Sequence, residues 1–186
     1  MTGEATIQPA IALTGVTKIF GDRPEAALEM LRAGRSKTDV QDETGEVIGL
    51  NDITLSVAPG QIYVVMGLSG SGKSTLIRHV NRLIEPTSGQ ILVNGADVLA
   101  MNDEALRAFR RTQVAMVFQS FGLMPHRNVV ENVAYGLEVR GVQKAEREAA
   151  AVKWLETVGL KGYEGSQPHQ LSGGQRRPLS IACAIA

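Results

Sequence analysis

The run Gly67-Leu68-Ser69-Gly70-Ser71-Gly72-Lys73-Ser74-Thr75 constrains this chain more than any other feature. The spacing G-x-x-x-x-G-K-[ST] lets a loop of small residues turn several backbone N–H groups towards one anion. Gly67, Gly70 and Gly72 remove the side chains that would block that approach. A helix beginning near Lys73 adds the partial positive charge of its N-terminus. Lys73 is then expected to reach the terminal phosphates of a nucleoside triphosphate, and the Ser74 hydroxyl to take a position on Mg²⁺. Gln61 to Met66 is a short apolar run that reads as a buried strand. Thr75 to Leu83 has helical spacing and stops before Pro86.

Composition agrees with an ordinary globular domain. The chain has 186 residues, 44% hydrophobic and 20% charged, with Lys plus Arg and Asp plus Glu balanced at 19 each. That balance points away from a nucleic-acid partner or an anionic membrane surface. Cys183 is the single cysteine, so no internal disulfide is expected. The N-terminal residues lack a signal pattern, and no apolar stretch approaches the roughly 20 residues needed to span a bilayer.

Ala10 to Phe20 alternates like a strand, Glu25 to Ala33 is helical with Gly34 as its stop, and Ser36 to Thr44 holds another turn or two of helix. Strands follow at Val47 to Val57 and Gln61 to Met66, and Gln90 to Val93 leads into an Asn94-Gly95 turn. Asn102 can cap a helix through Arg111, and Gln113 to Gln119 is a second buried-strand candidate. From Val129 the pattern is helical; Val152, Leu155 and Val158 define one face of a helix ended by Gly159.

The phosphate loop, a glutamine closing an apolar run at Phe118-Gln119, and Leu171-Ser172-Gly173-Gly174-Gln175 together resemble the ATP-binding domain of ABC transporters. The last motif resembles the ABC signature, a second anion nest at a helix N-terminus. A finer resemblance lies in Lys18-Ile19-Phe20-Gly21 followed by a charged helical insert, in Asn81-Arg82-Leu83-Ile84-Glu85-Pro86-Thr87, and in Ala115 to His126. These strings resemble the ATPase subunit of glycine betaine/L-proline importers, the quaternary-amine uptake branch used in osmoprotection.

The resemblance implies an α/β fold of the P-loop NTPase type, with an antiparallel β-subdomain and a helical subdomain, incomplete at the C-terminus. Residues 1–124 would form the β-subdomain and P-loop core, 125–172 the helical subdomain, and 173–186 the signature helix. Phe20 would stack on adenine. Gly67, Ser69, Gly70, Ser71, Gly72, Lys73, Ser74 and Thr75 would hold ATP, and Ser74 and Gln119 would hold Mg²⁺. Gln119 would also position the attacking water, with Lys73 beside it in catalysis. Ser172, Gly173, Gly174 and Gln175 would meet the ATP bound by a second copy in a head-to-tail dimer. The residues from Ser120 to Asn132 would meet a membrane-spanning permease subunit at the cytoplasmic face of the membrane, a substrate-binding protein acting indirectly. His79, His126 and His169 read as packing or surface histidines, and Trp154 as a packing residue of the helical insert.

Departures also count. The family places arginines where this chain has Pro178 and Cys183, and proline inside a helix costs about 3 kcal/mol. No apolar run followed by Asp-Glu occurs in the 186 residues. The Walker B strand, its catalytic carboxylate, the D-loop and the switch histidine are therefore expected beyond Ala186. The main expectation is ATP hydrolysis coupled to import of a compatible solute. The alternatives are a truncated nucleotide-binding fragment without turnover and the ATPase subunit of another ABC importer.

Overall fold

The computed structural model describes residues 8–186, which form two compact units, one ending at Leu106 and one beginning at Arg107. In the first unit a four-stranded antiparallel sheet has the order β2-β1-β3-β4. Strand β1 (Ile11–Phe20) is central; β2 (Val47–Val57) lies on one side, and β3 (Ser88–Val93) with the short β4 (Ala96–Asp97) on the other. Leu13, Val16 and Ile19 of β1 are buried in the core with Ile91 and Val93 of β3. Their three-residue spacing breaks strict alternation, and register shifts between Leu13 and Val16 and between Val16 and Ile19 interrupt the β1–β2 pairing. Asn94 and Gly95 take the two positive-φ positions of the β3–β4 turn, as an Asn-Gly pair favours.

The charged insert closes the end of the β1–β2 pair. Helix α1 (Pro24–Arg32) starts on its proline, and Gly34 at φ +83° follows its end. Helix α2 (Lys37–Thr44) begins with a reciprocal cap between Ser36 and Asp39. The chain returns at Val47, paired with Phe20, and Glu46 Oε1 accepts the Arg23 N–H at 2.9 Å. Ile19, Ala27 and Val40 form a small core beneath the two helices. Helix α3 (Lys73–Val80) follows the phosphate loop, and helix α4 (Asp103–Thr112) is capped by Asn102 Oδ1 on the Ala105 N–H.

The second unit is helical beyond residue 128. Helices α5 (Val129–Val139), α6 (Lys144–Thr157) and α7 (Gly173–Ile185) pack around Val129, Val133, Ala151, Leu155, Leu160, Leu171, Leu179 and Ala182. Trp154 lies partly buried against this core. The buried stripe of α6 is Ala151 and Leu155, whereas Val152 is exposed. Of the expected face, Leu155 is buried and Val158 packs half-buried against the core, while Val152 lies at the edge of that face and Ala151, four residues before Leu155, fills the stripe. Helix α7 runs on through Pro178.

Two expected buried strands do not form. Gln61 to Met66 has no ladder partner among the described residues, and Ile62, Val64 and Met66 are 90%, 69% and 85% exposed. Gln113 to Gln119 is likewise without strand pairing, with Val117 and Phe118 exposed. Apolar patterning identifies residues suited to a sheet, but a strand exists only when a neighbour accepts and donates its backbone hydrogen bonds. No helix among the described residues is long and apolar enough to cross a membrane.

Candidate nucleotide site

The phosphate loop is set by a close approach between backbones. Gly72, the residue before α3, has φ +86°, and a Cβ there would lie 2.6 Å from the Gly49 carbonyl oxygen and 2.9 Å from Leu50 Cδ2. Only glycine fits both the left-handed backbone and that distance. Gly70 is also left-handed, at φ +80°, and the Ser71 N–H donates to the Leu68 carbonyl at 3.2 Å. Lys73 Nζ lies over this loop, donating to the Gly67 carbonyl at 2.8 Å and to Ser71 Oγ at 3.3 Å. Ser69, Gly70 and Ser71 are exposed, and Ser74 and Thr75 are half-buried in the first turn of α3. The loop therefore presents a small-residue cradle, an ammonium group and a hydroxyl together. That donor set fits the phosphates of a nucleotide, and the Ser74 hydroxyl is an oxygen that could hold Mg²⁺.

On the other side of β2, Gly49 also receives Phe20. A Cβ on Gly49 would meet Phe20 Cε2 at 2.6 Å, so the ring lies directly against the bare strand. Lys18 Nζ sits 5.1 Å from the ring centroid, and Phe20 remains 39% exposed. Phe20 and Gly72 thus meet the same glycine, one through its ring and the other through its backbone. The role of Gly49 as a spacer carries no local signal in the sequence, because it joins residues 29 and 23 positions apart in the chain.

His79, on α3, is fully buried. Its Nδ1 lies 2.7 Å from the Thr75 carbonyl, so Nδ1 carries the proton and Nε2 is a bare acceptor without a partner. Burial, aided by the nearby charge of Lys18, holds the imidazole pKa below 6.5 and keeps it neutral at pH 7. It is a packing residue, as read from the sequence. His126 and His169 are exposed.

The second unit carries the other two motifs. Ser172 caps α7: its Oγ accepts the Gln175 N–H at 3.3 Å, and Gln175 Oε1 accepts the Ser172 N–H at 2.9 Å. Gln175 is thus engaged in the cap, while Ser172, Gly173 and Gly174 are exposed at the helix start. Arg176, which the sequence reading passed over, clamps the preceding turn. Its Nε donates to the carbonyls of Pro168 and Leu171 at 3.1 and 3.0 Å. Gln119 is exposed and sits in a tight turn closed by the Phe121 N–H on the Phe118 carbonyl at 3.0 Å. Asn132 is a second unanticipated residue. Its Oδ1 accepts the Met124 N–H at 2.7 Å, and its Nδ2 faces the carbonyls of Met124, Arg127 and Asn128. Cys183, at an expected arginine position, has its thiol pushed up to about 12 by burial, and is inert as a nucleophile at neutral pH.

The sequence profile of the ABC transporter family matches residues 50–186, well over half the chain. The chain belongs to the ABC transporter family. Among its ABC relatives are the glycine betaine/carnitine transport ATP-binding protein GbuA of Listeria monocytogenes, 49% identical, and the glycine betaine/proline betaine transport ATP-binding protein ProV of Escherichia coli, 46% identical. Each match covers 95% of this chain and 44% of the relative. The chain thus spans less than half the length of these curated relatives. Among solved structures it resembles the dimeric bacterial ABC transporter cassette MJ0796, with a TM-score of 0.78 at 28% identity over 95% of this chain and 69% of that one. The same cassette has also been solved in a post-hydrolysis state with ADP and Pi.

Proposed function

We propose that this ABC transporter chain is the ATP-binding part of an importer for glycine betaine/proline-type osmoprotectants, and that ATP hydrolysis by the full protein drives uptake. The observation that carries the nucleotide reading is the cradle at Gly67–Thr75, closed by Gly72 against β2 and topped by the Lys73 ammonium. The substrate class rests on the likeness to the GbuA and ProV proteins over 95% of the chain.

In this reading the backbone N–H groups of the loop and Lys73 hold the phosphates of ATP, while Ser74 and Gln119 supply oxygens to Mg²⁺. Bound Mg²⁺ would neutralise charge on the phosphate oxygens. Phe20 would support the adenine, and Gln119 would orient the attacking water. Ser172, Gly173, Gly174 and Gln175 would face the nucleotide of a second copy, in keeping with the dimeric cassette this chain resembles. The assembly would sit at the cytoplasmic face of the membrane on a permease subunit, supplied by a substrate-binding protein.

The test is uptake of labelled glycine betaine by cells whose own importer is deleted and which carry the full-length protein with its permease. Uptake is expected from the wild type and not from Lys73→Ala. Equal uptake by both would refute the ATP-driven reading. For the 186 residues alone, a second reading is nucleotide binding without turnover. It is favoured by the runs at 61–66 and 113–119, which form no strand among the described residues, and by the lack of an apolar run ending in Asp-Glu. Phosphate release by this chain is then expected to match that of its Lys73→Ala variant.

A further inference from the structure

We propose that Ser180 is a positioning residue that ties the signature helix to the turn carrying Gln119; the proposal rests on the reading of Gln119 as the residue that orients Mg²⁺ and water.

Ser180 lies in the middle of α7, on its buried face, and is 4% exposed. A serine inside a helix usually returns its hydroxyl to the carbonyl four residues back. Here Oγ instead donates to the carbonyl of Phe121 at 2.7 Å, across 59 residues of sequence. Phe121 has φ +67°, a left-handed conformation that a non-glycine residue adopts only when its surroundings over-determine it. Gly122 follows at φ +64°, and a Cβ there would lie 3.0 Å from the ring of Phe118. The Phe121 N–H closes the turn onto Phe118, leaving Gln119 and Ser120 as its two central residues.

The Ser180 bond therefore holds the residue that ends the Gln119 turn, at a strained position. Asn132 secures the next stretch, Met124 to Asn128, against α5. Helix α7, which begins at the Ser172 cap, thereby carries at one end the signature and at its middle the attachment of the Gln119 turn. A shift of α7 on engaging nucleotide would move Gln119 with it. In this proposal Ser180 and Phe121 act through Gln119 and not on the nucleotide themselves.

The experiment uses the full-length protein, measuring steady-state ATP turnover and, separately, ATP binding. Ser180→Ala is expected to lower kcat about tenfold with the KM for ATP unchanged within twofold, since the phosphate loop is untouched. In a Gln119→Ala background, Ser180→Ala is expected to cause no further loss. Phe121→Pro, which forbids φ +67° without altering α7, is expected to reproduce the kcat loss with ATP binding intact. It serves as the test should Ser180→Ala fail to fold. Phe121→Gly, which adopts the left-handed turn freely, is expected to restore turnover to Ser180→Ala at least threefold. A kcat loss of equal size in the Gln119→Ala background would overturn the coupling while leaving the role of Gln119 in place. Wild-type turnover by Gln119→Ala would instead remove the reading on which the proposal rests, and the proposal with it.

Discussion

Gly49→Ala separates base recognition from phosphate recognition at this site. The new Cβ would sit 2.6 Å from Phe20 Cε2 and 3.2 Å from Cδ2, where carbon atoms need about 3.5–4.0 Å. The ring must retreat by about 1 Å. Phe20 is 39% exposed, so it can rotate outward, at a rotamer cost of about 0.5–1.5 kcal/mol. The Lys18 contact at the ring face would be lost, about 0.5–1 kcal/mol at an exposed site. Replacing glycine by alanine returns about 0.4–1 kcal/mol through the unfolded chain. Net stability should therefore change by no more than about 2 kcal/mol. If the ring supports adenine, however, losing a base–aromatic stack costs about 1–3 kcal/mol of binding. That weakens ATP by about 5- to 140-fold, at about 1.4 kcal/mol per decade. The assay is titration calorimetry with ATP and with tripolyphosphate, which has no base. Both Gly49→Ala and Phe20→Ala should weaken ATP and leave tripolyphosphate unchanged, and the double variant should lose no more than Phe20→Ala alone. ATP affinity within twofold of wild type in both single variants would refute base stacking by Phe20. A parallel loss of tripolyphosphate in Gly49→Ala would show instead that the added methyl disturbs Gly72, whose backbone approaches the Gly49 carbonyl.

Two further outcomes follow from buried polar groups. His79 has a pKa lowered by burial, so the unfolded chain binds its proton more readily than the folded one. Its contribution to stability is complete above about pH 6.5 and is lost as pH falls from there through the lower folded value. In urea titrations from pH 7.5 to 5, His79→Met should flatten the decline of the midpoint below pH 6.5 and cost less than about 1.5 kcal/mol at pH 7; an unchanged slope would rule this out. Asn132→Ala removes the side chain whose Oδ1 accepts the Met124 N–H and whose Nδ2 shares its two protons among three carbonyls, and should cost about 2–4 kcal/mol in the same measurement. A loss below 1 kcal/mol would mean that water replaces those bonds at no net cost.

What could be read along the chain was everything set by neighbours within a few residues. The phosphate loop, the Ser172 cap on α7, the Asn102 cap on α4, the Asn94-Gly95 turn and the α1 start at Pro24 are short-range matters of φ, hydrogen bonding and helix ends. The reciprocal caps at Ser36–Asp39 and Asn128–Glu131 obey the same three-residue logic. Tertiary structure alone decided the rest. Residues 61–66 and 113–119 have the composition of buried strands, yet pairing is a property of two segments, and the described residues supply no second one. The packing of Phe20 and Gly72 on Gly49 and the Ser180 hydroxyl on Phe121 join residues that no short window of sequence holds together. Local backbone physics writes the loop that can grip phosphate. Which side chains brace that loop, and which aim Gln119, depends on where distant segments come to rest.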